Sequence, residues 1–173
     1  MKSIYIACLM LLVFTSCAVK VQTMQDDQVD FGKYKSFCWL KGCEFTFSGP
    51  RYLKEPLIQK YFQEAIIAEM DKKGIRYDND TPDLLIDVHV TMQTDTVYAF
   101  HLPTETDMFM VSKMGDEEII MLKGTLIIDL VDKETSRMVW RSVAVSYFES
   151  HPEATPRNFR KGVAKALKKF NAH

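Results

Sequence analysis

The side chains of this chain with the most reactive potential are its histidines, cysteines and methionines, and their spacing limits what they can do. His101 is followed by Met108, Met110 and Met114, and an imidazole with several thioethers is a donor set able to hold Cu(I). Methionine in an irregular segment more commonly fills gaps or forms an adaptable surface, so no metal is assigned. His89 falls within an apolar strand pattern, where a hydrogen-bonded sheet histidine is the simpler role. Cys38 and Cys43 would stand about 16 Å apart in an extended strand at ~3.3 Å per residue, beyond disulfide reach. A turn at Lys41-Gly42 would close that distance, so a bridge and two buried thiols both stay open. Asp30-Phe31-Gly32 matches the metal-binding tripeptide of kinases, but no catalytic-loop or strand-lysine motif accompanies it. Neither a G-x-S-x-G elbow nor an H-E-x-x-H helix occurs. Asp80 and Asp83 flank a Thr-Pro turn, where carboxylates bond to backbone amides. No acid, base and nucleophile are assembled, so no catalytic residue, cofactor or metal is expected.

Cys17 is a different case. Lys2 gives a positive start, Ile4 to Phe14 is an uncharged apolar run, and Thr15-Ser16-Cys17 is a zone of small residues. That order is a secretory signal peptide. Even stretched to Ser3–Val19, the uncharged run falls short of the ~20 residues that cross a bilayer. Phe14-Thr15-Ser16-Cys17 resembles the lipobox of bacterial lipoproteins, with Phe14 where leucine is commoner. The resemblance implies that residues 1–16 are removed and that Cys17 carries acyl chains such as palmitate. Buried chains contribute ~0.8 kcal/mol per CH₂, and several together hold a protein on a membrane. Ala18 shows no acidic inner-membrane retention signal, so the outer membrane, facing the periplasm, is the expected location. Residues 17–29 are mostly polar and aperiodic and read as a lipidated tether.

The elements that would position any site follow from residue 30 onward. The chain has 173 residues, 47% apolar and 26% charged, which suits one globular domain (30–173) and not a disordered or fibrous chain. A net charge of −1 argues against binding nucleic acid through many phosphates. Tyr34 to Leu40 reads as a first strand and residues 41–52 as a loop. Leu57, Ile58, Tyr61, Phe62, Ala65, Ile66 and Ala68 give a helical apolar face over 54–73, with Ile67 outside it. Lys72-Lys73-Gly74-Ile75 is a helix stop. Leu84 to Phe100 reads as a long strand with Leu84, Ile86, Val88 and Val90 on one side. Glu118 to Val131 and Met138 to Phe148 are two more, joined by a polar hairpin connection. Phe159, Val163, Ala166, Leu167 and Phe170 form the stripe of a final helix near 156–170. Its cations, Arg157, Arg160, Lys161, Lys165, Lys168 and Lys169, read as a solvated outer face. The order β-α-β-β-β-α predicts an α+β fold: a mixed four-stranded sheet with two helices packed on one face. Trp39 and Trp140 are expected in its core.

Asp30-Phe31-Gly32-Lys33-Tyr34-Lys35-Ser36-Phe37-Cys38-Trp39 resembles the opening of a bacterial lipoprotein family, the domain of unknown function 4136. Lys73-Gly74-Ile75, Pro82-Asp83-Leu84-Leu85-Ile86, Gly124 to Leu130 and Met138-Val139-Trp140-Arg141 resemble later parts of it, in order. Ser142 stands where a glycine usually follows the Trp-Arg pair. The resemblance implies an α+β fold and an envelope location, and no activity.

The expected function is therefore a non-catalytic, lipid-anchored envelope protein that binds a protein or another envelope component. A small-ligand carrier or enzyme, with a pocket between helices and sheet, is the alternative. Met108, Phe109, Met110 and Met114 make the loop from His101 to Glu117 unusually apolar. It serves either as a recognition site or as a cover for the core.

Overall fold

The even positions of residues 84–92 are apolar, and this period of two sets up the longest ladder in the molecule. A computed structural model describes residues 19–40, 45–99 and 117–172. Its strands are β1 (Lys20–Gln25), β2 (Ser36–Trp39), β3 (Thr46–Ser48), β4 (Arg76–Tyr77), β5 (Leu84–Ala99), β6 (Glu117–Asp132) and β7 (Arg137–Phe148). The helices are α1 (Pro56–Lys72) and α2 (Pro156–Ala166), and short 3₁₀ turns span Phe31–Lys33 and Arg51–Lys54. The strands join one mixed sheet in the order β1-β7-β6-β5-β2-β4. β3 pairs with β5 farther along the same side as β2. The meander β5-β6-β7 is antiparallel, as expected, whereas β2 and β3 run parallel to β5.

The α+β class and the two helices match the sequence reading, but the sheet has seven strands rather than four. The three unexpected strands are short or weakly patterned. β3 has three residues and β4 two, too few to show a period. β1 lies inside the segment read as a tether: residues 17–29 are not a free leash, because Lys20–Gln25 pairs antiparallel with β7 from Val145 to Trp140. Only Val21 and Thr23 turn partly inward, which is all that a half-covered edge strand needs.

α1 starts at Pro56, whose fixed φ and missing N–H suit a first turn. It ends where Gly74 adopts φ 77°, with Gly74 N–H donating to Asp71 O and Ile75 N–H to Met70 O. This pair of bonds satisfies the last carbonyls and tucks Ile75 fully inside. Ile58, Phe62, Ala65, Ile66 and Met70 are buried. Ile67 packs at the margin of the core, but Leu57 is half exposed, contrary to its place in the helical stripe. α2 is capped by the Thr155 hydroxyl, which accepts from Asn158 N–H, and its four cations, Arg157, Arg160, Lys161 and Lys165, are exposed, as are Lys168 and Lys169 in the turn after it. Both helices pack over the face carrying Ile86, Val88, Ile128, Leu130 and Trp140. Trp140 is buried as expected, while Trp39 is half-buried against the core rim. Among the described residues no helix is long and apolar enough to cross a membrane.

Candidate functional site

Cys17, Cys43, His101 and the apolar set Met108, Phe109, Met110 and Met114 lie outside the described residues. Cys38 is buried, with its thiol 3.3 Å from the Trp39 carbonyl. The described stem of the expected recognition loop is informative on its own. β7 accompanies β6 only as far as the Leu122–Phe148 pair, and β3 accompanies β5 only to Thr91. Beyond that, residues 95–99 of β5 and 117–121 of β6 pair with each other alone among the described residues. The hairpin therefore leaves the sheet as a two-stranded arm, a structure that is marginal by itself in water.

Its root is fastened on both faces. On the face away from the helices, Asp95 accepts from Lys123 Nζ and from the Tyr147 hydroxyl, both at 3.3 Å. That carboxylate raises the Lys123 pKa above its ordinary value. On the helix face the Phe148 ring lies over Gly124, where any Cβ would come within 3.0 Å of it. Glycine lets the ring lie this close, and a larger residue would require Phe148 to shift. Past this root the arm exposes Ile119 (38%) and Ile120 (70%).

A second constellation lies on the open face of the sheet. Asp87 and Asp129 are direct cross-strand partners. His89 Nε2 is 2.9 Å from Asp87 Oδ2, and the Arg141 guanidinium holds Asp129 in a fork with contacts of 2.6 and 2.5 Å. Ligand atoms of Asp87, His89 and Asp129 all lie within 4.8 Å of one another, a spacing a cation could use. The fork already occupies both oxygens of Asp129 and His89 already pairs with Asp87 Oδ2, while the other Asp87 oxygen is buried without a hydrogen-bond partner among the described residues. His89 is thus the hydrogen-bonded sheet histidine expected of it. Asp87, Asp129 and Arg141 were not singled out by sequence reasoning, because only the strand register brings them together.

A third constellation closes one end of the sheet. Asp132 is 3% exposed and accepts from the Tyr34 hydroxyl at 2.7 Å, Lys33 Nζ at 2.9 Å and the Thr135 amide at 2.9 Å. Burial pushes its carboxyl up, but the bonds from Thr135, Tyr34 and Lys33 outweigh that and hold it well below the usual carboxylate range. Burial, and then the bond to Asp132, push the Tyr34 hydroxyl up to about 12. A surface cavity of about 390 Å³ opens beside these residues, lined also by Pro82, Asp83 and Glu134. Asp83 has a structural role here, but not the local turn bond expected of it: it accepts from the Lys35 and Ser36 amides at the start of β2, whereas Asp78 accepts from the Asp80 and Thr81 amides of the turn.

No curated protein matches the chain in sequence. Among solved structures, a PDZ domain protein from Parabacteroides distasonis is similar, at 19% identity and a TM-score of 0.55. The match covers 98% of this chain and 40% of that one, so this chain spans well under half of its relative. A PelC dodecamer from Paraburkholderia phytofirmans is similar at 10% identity and a TM-score of 0.50, over 87% of this chain and 95% of that one. Both likenesses concern the fold alone. Residues 21–170 match a family described only as a domain of unknown function, number 4136. That span takes in both helices and, but for Lys20, all the described strands, and the chain belongs to this family.

Proposed function

We propose that the chain is a non-catalytic lipoprotein of the bacterial cell envelope, anchored through Cys17 and binding an envelope component through the β5–β6 arm. The observation that carries this reading is the arm itself. It projects past its neighbours with Ile119 and Ile120 in solvent, and it leads into the segment containing Met108, Phe109, Met110 and Met114. Two neighbouring isoleucines exposed on a projecting ribbon make a candidate interaction site.

The alternative of a carrier or enzyme has less support. Ile66, Met70, Ile86, Ile128 and Leu130 fill the space between helices and sheet at 0–1% exposure. The 390 Å³ cavity lies at the sheet end, and another of about 190 Å³ lies beside Met24, Met138 and Trp140 at the β1–β7 edge.

Intact mass of the protein from washed membranes, with Cys17→Ala alongside, tests the anchor. An acylated Cys17 and a released variant are expected, and an unacylated mature chain would defeat it. The double substitution Ile119→Ser, Ile120→Ser tests the arm. It should leave the melting temperature unchanged while weakening retention by isolated envelopes, and unchanged retention would defeat the arm as a binding element.

A further inference from the structure

The alternation that places Leu84, Ile86 and Val88 under the helices places Asp87 and His89 on the opposite, open face of β5. The register then sets Asp129 of β6 directly opposite Asp87, and Arg141 of β7 directly opposite Asp129. Two carboxylates facing each other across a ladder repel. Arg141 compensates one of them, so with a neutral imidazole the group keeps one negative charge in excess. That excess falls on Asp87. His89 Nε2 meets its Oδ2 at 2.9 Å, while its Oδ1 is shut off from solvent and accepts no hydrogen bond among the described residues. A buried carboxylate oxygen without a donor is costly, and a bound ion is one of the few things that relieves it.

The donors suit a cation. Ligand atoms of Asp87, His89 and Asp129 lie within 4.8 Å of one another. Zinc holds nitrogen and oxygen donors at about 2.0–2.2 Å, which sets tetrahedral ligands roughly 3.4 Å apart. Side-chain rotations on the order of 1 Å would close the cluster to that size. The His89 side chain, 36% exposed, has the room to turn and gives an ion its way in from solvent. The Arg141 fork does not bar Asp129, whose side chain is 7% exposed. It takes two of the about four acceptor positions on the carboxylate and holds the others in a fixed direction, as hydrogen-bonded partners of metal ligands do. In the bound form the imidazole proton sits on Nδ1, leaving Nε2 to the metal. An imidazole beside two carboxylates favours transition ions over Mg²⁺ and Ca²⁺, whose sites are built from oxygen.

We propose that Asp87, His89 and Asp129 bind a divalent transition-metal ion of the zinc type, with Arg141 positioning Asp129. The site stands apart from the lipid anchor and the β5–β6 arm. The test uses the full-length protein, freed of metal by a chelator and titrated calorimetrically with Zn²⁺. One ion per chain should bind and raise the melting temperature, and Mg²⁺ or Ca²⁺ at the same concentration should not. Asp87→Asn and His89→Gln should each weaken zinc binding by about 10–100-fold or more. Their melting temperatures without metal check that both fold. In the unsubstituted protein, zinc should also protect His89 from carbethoxylation, read by peptide mass, which locates the ion without any variant. Undiminished binding in either folded variant, or a His89 modified equally fast with and without zinc, places the ion elsewhere and overturns the proposal. Failure to bind zinc overturns it too, and leaves the four side chains a self-contained ion-pair network. A response to Mg²⁺ equal to that of zinc overturns the class of ion assigned.

Discussion

Substituting Asp132 by alanine should remove one of the strongest fastenings in the fold. The carboxylate joins the Phe31–Lys33 turn to the β6–β7 connection, far apart in sequence. Its loss leaves the Tyr34 hydroxyl, on a side chain 2% exposed, without its charged acceptor, at about 1.5–3 kcal/mol. The Thr135 amide loses a partner equivalent to a helix cap, at about 0.5–2 kcal/mol. Lys33 remains in water and adds little. The total is ~2–5 kcal/mol, a large share of the ~5–15 kcal/mol that holds such a domain together. Urea unfolding at neutral pH of Asp132→Ala, Tyr34→Phe and the double variant measures it, and the two single losses should be strongly non-additive. The pH dependence has a defined sign. A carboxyl held below its ordinary value stabilises fully above the unfolded pKa of about 3.9 and loses that contribution as pH falls toward the folded value. The gap between the protein and Asp132→Asn should therefore close below about pH 4. A loss under about 1 kcal/mol for Asp132→Ala, or additive single effects, would refute the reasoning.

Trp140→Ala should cost about 3–5 kcal/mol by thermal or urea unfolding, because the indole is 1% exposed and packs on Phe170. Arg141→Ala should cost about 1–3 kcal/mol, since it leaves Asp129 buried and unpaired directly opposite Asp87 while the lost guanidinium was itself 39% exposed. Adding Asp129→Asn should recover much of that loss, and a double variant no more stable than Arg141→Ala would count against like-charge repulsion as the cause.

The legible parts of the fold were those with a long period. Leu84, Ile86, Val88 and Val90 announced β5, the polar stretch before Arg137 announced the hairpin, and Lys72-Lys73-Gly74-Ile75 announced the end of α1. β1 was hidden because Lys20-Val21-Gln22-Thr23-Met24-Gln25 buries little, and what makes it a strand is β7 beside it. β3 and β4 are too brief to carry a pattern and owe their existence to the edge of β5 and to β2. The site divides in the same way. Apolar residues around the loop were visible as composition, whereas the isolation of the arm depends on where β7 stops. Asp87, Asp129 and Arg141 are ordinary alternating polar positions until register makes them neighbours. Asp132 looked like one more polar residue of a turn, and only the distant Tyr34 turns it into a buried acceptor.

Because β1 pairs with β7, the chain's earliest strand depends on one of its last. Such pairing closes a loop of nearly the whole domain, the slowest kind of contact to form. The segment following Cys17 stays unpaired until β7 has been made and placed, which leaves a period in which enzymes can act on it as an extended peptide. Once docked, the same residues shield the flank of β7. A protein trimmed at residue 29, as a mere leader would invite, would uncover residues 140–145 of β7, the six with which β1 pairs, as a bare edge. Bare edges of that length recruit other chains, so the short N-terminal strand guards against aggregation.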